Sequence, residues 1–322
     1  MKVFDILKET LTIFHKNTNF IFFTILTSLP LFCFLIYYET FLQKFLSQST
    51  ENLPLPKKTG LFIPSLGNPW LLPIDMFRNI NKYHFNELFQ MCFLYLVPLH
   101  LLEFINLIFT VDLSSKIYRE EKALTFFDMF HLRIEKVRLR ATFVTFLYVV
   151  FLSTCTLLGF IWLLVTYSAV FRLFFTPERS GIVLNNFERV SSLGFNLFHH
   201  LIYGSNLLFL VIIYLPWCAI WNLGLVISIL EGICGIKALG SAAYLSLRNT
   251  QNGVGLVLIF TIWELGLRAL CLYFGCYKTW FGIIGLISLL CLGNAVKWAS
   301  FVVYFQDCIW RVSKKKTGEE QG

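Results

Sequence analysis

Three long stretches of this chain, residues 18–38, 141–171 and 201–230, contain no Asp, Glu, Lys, Arg or His. That feature limits the folds available. Backbone groups in hydrocarbon must satisfy one another, and a helix of about 20 apolar residues does so across a core roughly 30 Å thick. Composition points the same way: 57% of the 322 residues are apolar and 14% are charged, where a soluble domain carries about 25%. The expected fold is all-α, a polytopic helical membrane bundle of six transmembrane helices with interfacial amphipathic helices. The spans are expected at residues 20–38, 88–111, 141–166, 206–230, 254–275 and 282–305. Residues 1–310 read as a single transmembrane domain and 311–322 as a polar cytosolic tail containing Lys314, Lys315 and Lys316.

The segments between spans are patterned too. Val3, Phe4, Leu7, Leu11 and Phe14 recur at helical spacing among Lys2, Asp5, Lys8 and Glu9, which predicts an amphipathic helix in the interface. Residues 39–87 hold five of the nine prolines, Pro54, Pro56, Pro64, Pro69 and Pro73, and read as an irregular loop on the membrane surface. Residues 112–140 carry an apolar stripe and a basic end (Arg133, Lys136, Arg138, Arg140), the pattern of a helix facing anionic headgroups. Val183, Phe187, Val190, Leu193 and Leu197 predict a second surface helix. Small residues crowd the segment after Glu231: Gly232, Gly235, Ala238, Gly240, Ser241, Ala242 and Ala243. They allow close backbone approach, either re-entrant or under the bundle.

The net charge is +8, but the basic residues sit in short loops beside spans, and no soluble domain carries a basic patch interleaved with aromatics. Anionic lipid headgroups are therefore the expected partner, and nucleic acid is not. Sixteen Lys and Arg fall on the side of both termini and nine on the other, so both termini are expected in the cytosol. The first apolar run is followed by no small-residue cleavage site and reads as a retained span. An endomembrane, such as the endoplasmic reticulum, is expected ahead of the plasma membrane. A weak internal echo links Pro98, Asp112 and Lys122-Ala123-Leu124 to Pro216, Glu231 and Lys237-Ala238-Leu239, as a duplicated two-span unit would.

A few polar residues stand inside apolar spans. Glu264 and Arg268 are one turn apart in the fifth span. His100, Glu103 and Asn106 form one stripe on the second. A charge at the bilayer centre costs at least ~2.5–3.5 kcal/mol on insertion scales, so these five residues are the candidate intramembrane polar network. An ion pair between Glu103 and Arg268 would join its two halves. The competing reading is structural, with the pair locking the bundle and the stripe bonding between helices. Lys297, beside Asn294, can snorkel to an interface. Glu231 and Asp112 stand where spans are expected to end, and each is expected to orient the next helix by accepting backbone N–H bonds.

No cofactor or metal is expected. The nine cysteines include no C-x-x-C, the six histidines form no H-E-x-x-H, and G-x-S-x-G, Walker A and G-x-G-x-x-G are absent. The cysteines read as small core residues.

The run "SILEGICGIKALGSAAYLS" resembles the exit-helix pattern of a plant family of uncharacterised six-span membrane proteins. "DILKE", "LTSLPLF", "FLYLVPLHLLE", "FLSTCTLLGFIWL" and "GLRALCLY" resemble it as well, so the likeness covers nearly the whole chain. Glu231, Gly232, Ala238 and Ser241 are more distantly similar to the membrane domain attached to some bacterial glycerophosphodiester phosphodiesterases, without its catalytic residues. The resemblance implies the six-span architecture and no activity. Three functions compete: a non-enzymatic membrane organiser or scaffold, with a protein partner or as a homo-oligomer; a small-solute or ion transporter or channel using the polar network; and a lipid-modifying enzyme.

Overall fold

The computed structural model describes residues 1–51, 89–120, 136–175, 186–247 and 249–319. Among them all regular structure is helical. The α-helices are α1 (Val3–Lys16), α2 (Thr18–Glu51), α3 (His100–Glu120), α4 (Lys136–Phe175), α5 (Asn186–Glu231), α6 (Ile236–Ser246), α7 (Thr250–Tyr273) and α8 (Trp280–Glu319). Helical residues 89–94 and a π-helical turn at Tyr95–Leu99 lead into α3. The wider turn holds Pro98, which has no N–H to give to a regular ladder. Six helical segments are long and apolar enough to cross a membrane: Thr18–Lys44, Phe89–Arg119, Arg138–Tyr167, Leu201–Glu231, Thr250–Tyr273 and Trp280–Lys314. The chain is thus an all-α bundle with the composition of an integral membrane protein.

Several boundaries differ from the sequence reading, each because helix continues where polarity resumes. α2 runs on through Glu39 to Glu51, and α8 extends through the expected tail to Glu319. The second surface helix is the first part of the 46-residue α5. α3 passes Asp112 without a break, whereas α5 stops at Glu231, so the two acids of the internal echo are not equivalent. Lys122-Ala123-Leu124, Arg133, Val183 and the five loop prolines lie outside the described residues.

The chain divides into two compact units. The first comprises Met1–Gln48, Glu87–Val150 and Leu215–Gly322. Its centre is α8, where Phe301, Val302, Val303, Tyr304 and Phe305 are all fully buried. Five consecutive residues point all the way round a helix, so α8 is enclosed on every side. Leu107, Val111 and Leu113 of α3, Leu223, Val226 and Ile227 of α5, and Leu256 of α7 complete this core.

Of the apolar stripe expected on α1, Phe4 and Leu11 are exposed, while Ile6, Thr10, Ile13 and Phe14 are buried and the helix packs on α8, α7 and α3. The Phe14 and Phe20 rings, 4.7 Å apart, span the break at Asn17 and fix the angle between α1 and α2. α6 is likewise packed, through Ala238, Ala242 and Ser246. Glycine permits these approaches. A Cβ on Gly224 would lie 2.8 Å from Leu239 Cδ2, and one on Gly253 would lie 2.9 Å from the Tyr304 hydroxyl oxygen. Tyr304 is fully buried and donates to the Asn249 carbonyl at 3.1 Å, so its ring cannot swing aside. Gly253→Ala is therefore expected to cost about 1–3 kcal/mol, read as a lower midpoint of thermal unfolding in detergent. An unchanged midpoint would mean that the ring does move.

The second unit comprises Ser49–Asn86 and Phe151–Tyr214. In its described part α4 and α5 run antiparallel. Phe160 meets Tyr214 edge to face with centroids 5.8 Å apart, and Tyr167 meets Tyr203 at 5.0 Å.

Candidate functional site

Arg268 organises the most concentrated charge in the apolar part of the first unit. Its Nη1 lies 3.5 Å from Glu39 Oε2 on α2, and its Nε lies 3.7 Å from Glu264 Oε1 one turn back on α7. The Glu39 side chain is only 5% exposed, whereas Glu264 is 60% exposed. A third group comes from the turn joining α7 to α8, where Cys276–Lys278 forms one turn of 3₁₀ helix. There the Tyr277 phenol lies within electrostatic reach of Arg268 and Glu39. Burial pushes the Tyr277 phenol above its usual range and the Glu39 carboxylate adds to the rise, while Arg268 opposes it. The guanidinium fork thus serves two carboxylates on two helices.

Sequence reasoning centred on Glu264 and missed Glu39, which follows Tyr37-Tyr38 and reads as the end of the first span. The missing signal was the helix beyond it. Position along α7 changes as well. Arg268 lies five residues before the helix end at Tyr273, about 7.5 Å along the axis, and Glu264 nine residues before it, about 14 Å. Tyr273, Phe274, Trp280 and Phe281 around the turn are all exposed, the pattern of an aromatic belt at the headgroup level. Arg268 is thus closer to the end of α7 than to its middle.

The second-span stripe divides. His100 Nδ1 bonds Glu103 Oε2 at 3.0 Å, and Glu103 is 43% exposed. Glu103 is therefore engaged on its own helix, and the expected ion pair with Arg268 is not made. Aromatic rings fill the interval: Tyr95 lies 5.1 Å from the His100 ring and 6.2 Å from the Tyr38 ring. Asn106 points inward instead. It is 1% exposed, and neither its amide nitrogen nor its oxygen has a hydrogen-bond partner.

Asp112 pairs with Lys116 at 3.0 Å within α3 and caps no helix. Glu231 is exposed, and α6 begins without a side-chain cap. The expected role of Glu231 falls to Thr145 of α4. Its hydroxyl accepts from the Gly235 backbone N–H at 2.8 Å and lies 2.9 Å from the Ser228 hydroxyl. That contact needs Gly235 at φ 60°, ψ −132°, backbone open essentially to glycine alone. Lys297 places its ammonium 4.8 Å from the Trp298 ring centroid.

A second charged centre, which the sequence did not reveal, lies where α8 meets α1. Asp307, with a side chain 4% exposed, binds the Met1 amino group at 3.3 Å, Arg311 Nε at 3.0 Å and the Asn249 amide at 3.0 Å. Asn252 and Arg311 both donate to the Met1 carbonyl. Its signal was hidden because Asp307 and Arg311 fall beyond the expected sixth span, Arg311 at the first position of what reads as a tail.

Among the described residues no group of three or more His, Cys, Asp or Glu side chains is placed to hold a metal ion. No family model, curated protein or solved structure matches the chain.

Proposed function

We propose that the chain is a non-enzymatic membrane organiser or scaffold. It would reside in the endoplasmic reticulum or another endomembrane with both termini in the cytosol, as a member of the plant six-span family it resembles. The observation that carries this reading is the closure of the charged centre. Arg268 is held by Glu39 and Glu264 of the same chain, which is how a charge serves packing rather than passage. The outward carboxylate of Glu264 fits a scaffold too. Its neighbours Ile262 and Leu265 are exposed on the same helix. A carboxylate facing lipid there costs about 2.5–3.5 kcal/mol, which a partner helix donating to it would offset. The exposed basic residues Arg138 and Arg140 at the start of α4 suit anionic headgroups.

Asn106 favours the second reading, a transporter or channel for a small solute or ion. A buried amide without partners is what a water-lined path would leave behind. The two readings separate by cysteine accessibility. In a background lacking the nine native cysteines, Asn106→Cys and Thr110→Cys, one turn apart on α3, are exposed to a membrane-impermeant thiol reagent from each side. Lys237→Cys on the exposed side of α6 serves as the positive control. The expected result is labelling of the control and of neither α3 position. Labelling at either α3 position in folded, inserted protein would put the transporter reading first.

A further inference from the structure

The second half of α7 is thinly covered by its own chain. Thr261, Ile262, Trp263, Glu264 and Leu265 are each exposed. One face of this stretch is patterned. Leu258, Leu265 and Leu272 stand seven residues apart and are all exposed, and Thr261 and Arg268 alternate with them. Residues repeated at that interval keep one seam of a helix against a partner through a left-handed crossing. In hydrocarbon the leucines supply no drive of their own, so association needs close packing and hydrogen bonds between helices. The same face carries the groups for both. Glu264 adjoins Leu265, and Arg268 lies one turn on. Within the helix Glu264 Oε1 is 3.7 Å from Arg268 Nε, longer than the roughly 2.7–2.9 Å of a charge-assisted hydrogen bond. The outward carboxylate is therefore short of donors.

We propose that α7 is the interface of a homodimer, with this face of one copy packed on the same face of a second. A two-fold interface needs a patch that complements itself, and a patch holding one acid and one base a turn apart does so. An axis along the membrane normal keeps every residue at its own depth. Glu264 of each copy then meets Arg268 of the other across one helical turn, the offset that an i,i+4 pair spans within a helix. Leu265 of each copy enters the hole formed by Thr261, Glu264, Leu265 and Arg268 of the other. Arg268 gives Nη1 to Glu39, and the rest of its five donors are free to serve the carboxylate across the interface. The proposal names the partner of the scaffold reading and rests on that reading.

The test uses the full chain in membranes, in a background lacking the nine native cysteines. Leu258→Cys, Leu265→Cys and Leu272→Cys are made singly and oxidised with copper phenanthroline. Leu270→Cys, exposed on the opposite side of α7, is the control. Covalent dimer is expected at the three seam positions and little at the control. Glu264→Leu is expected to weaken association about tenfold, the worth of one strong interhelical hydrogen bond in a membrane, read from the dimer fraction as the protein is diluted in lipid. No covalent dimer at the seam, or equal yield at Leu270→Cys, would overturn the proposal. So would a Glu264→Leu protein that associates as tightly as its parent. Any of these results leaves the scaffold reading standing, because only labelling at Asn106→Cys or Thr110→Cys displaces it.

Discussion

Arg268→Met is expected to cost the fold about 3 kcal/mol, the lower end of what removing one partner from a buried ion pair costs. The lower end applies because the Arg268 side chain is 36% exposed, while its partner Glu39 is 5% exposed. The substitution keeps length and apolar bulk but takes from the Glu39 carboxylate its cation, leaving it the Gln43 amide one turn on. The converse change should be milder. Glu39→Gln keeps shape and an acceptor, and leaves Arg268 with Glu264. Reversible unfolding in mixed micelles would measure both. The asymmetry is the diagnostic, and the exchange of the two residues, Glu39→Arg with Arg268→Glu, should recover part of the loss. If Arg268→Met were as stable as wild type, the pair would not be a structural lock.

Asp307→Leu is expected to be at least as damaging, at about 3–5 kcal/mol. It removes the acceptor shared by the Met1 amino group, Arg311 and Asn249, and each loses a charge-assisted bond. The loss should be uneven through the molecule. α1 is held to α8 at this point and should exchange its amide hydrogens faster than α3 or α5. Hydrogen exchange with peptide readout would show this, and Asp307→Asn should fall between the two. Protection of α1 unchanged in Asp307→Leu would mean that Ile6, Thr10 and Phe14 hold the helix without the polar contact.

The bundle was legible because hydropathy is a property of each segment alone. Apolar runs, three of them free of charge, pointed to the six spans and the all-helical class. Where the sequence reading fell short, the deciding fact was a neighbour distant in sequence. Glu39 could not be recognised as the partner of Arg268 from either residue's surroundings, since 229 positions separate them. α1 carries the stripe of an interfacial helix, yet the residues it buries fully are Ile6, Thr10, Ile13 and Phe14, of which only Phe14 belongs to that stripe. Glu231 looked like a capping acid, but the hydroxyl that meets the next helix belongs to Thr145, 90 positions before Gly235. Helix ends were missed for a simpler reason. Polarity marks where hydrocarbon stops, and α2, α5 and α8 continue past that point.

The enclosure of α8 bears on how the protein is made. The helix that fills the middle of the first unit is the last of the described helices to leave the ribosome. Until then Leu107, Val111, Leu223, Val226 and Leu256 surround a vacancy, and earlier spans already in the bilayer can only be loosely associated. Assembly can therefore finish only once Phe301–Phe305 has been made and enters that vacancy, where α1, the earliest of the described helices, docks on the last of them. Contacts spanning so much of the chain close slowly, leaving an interval in which quality control can capture the unfinished bundle.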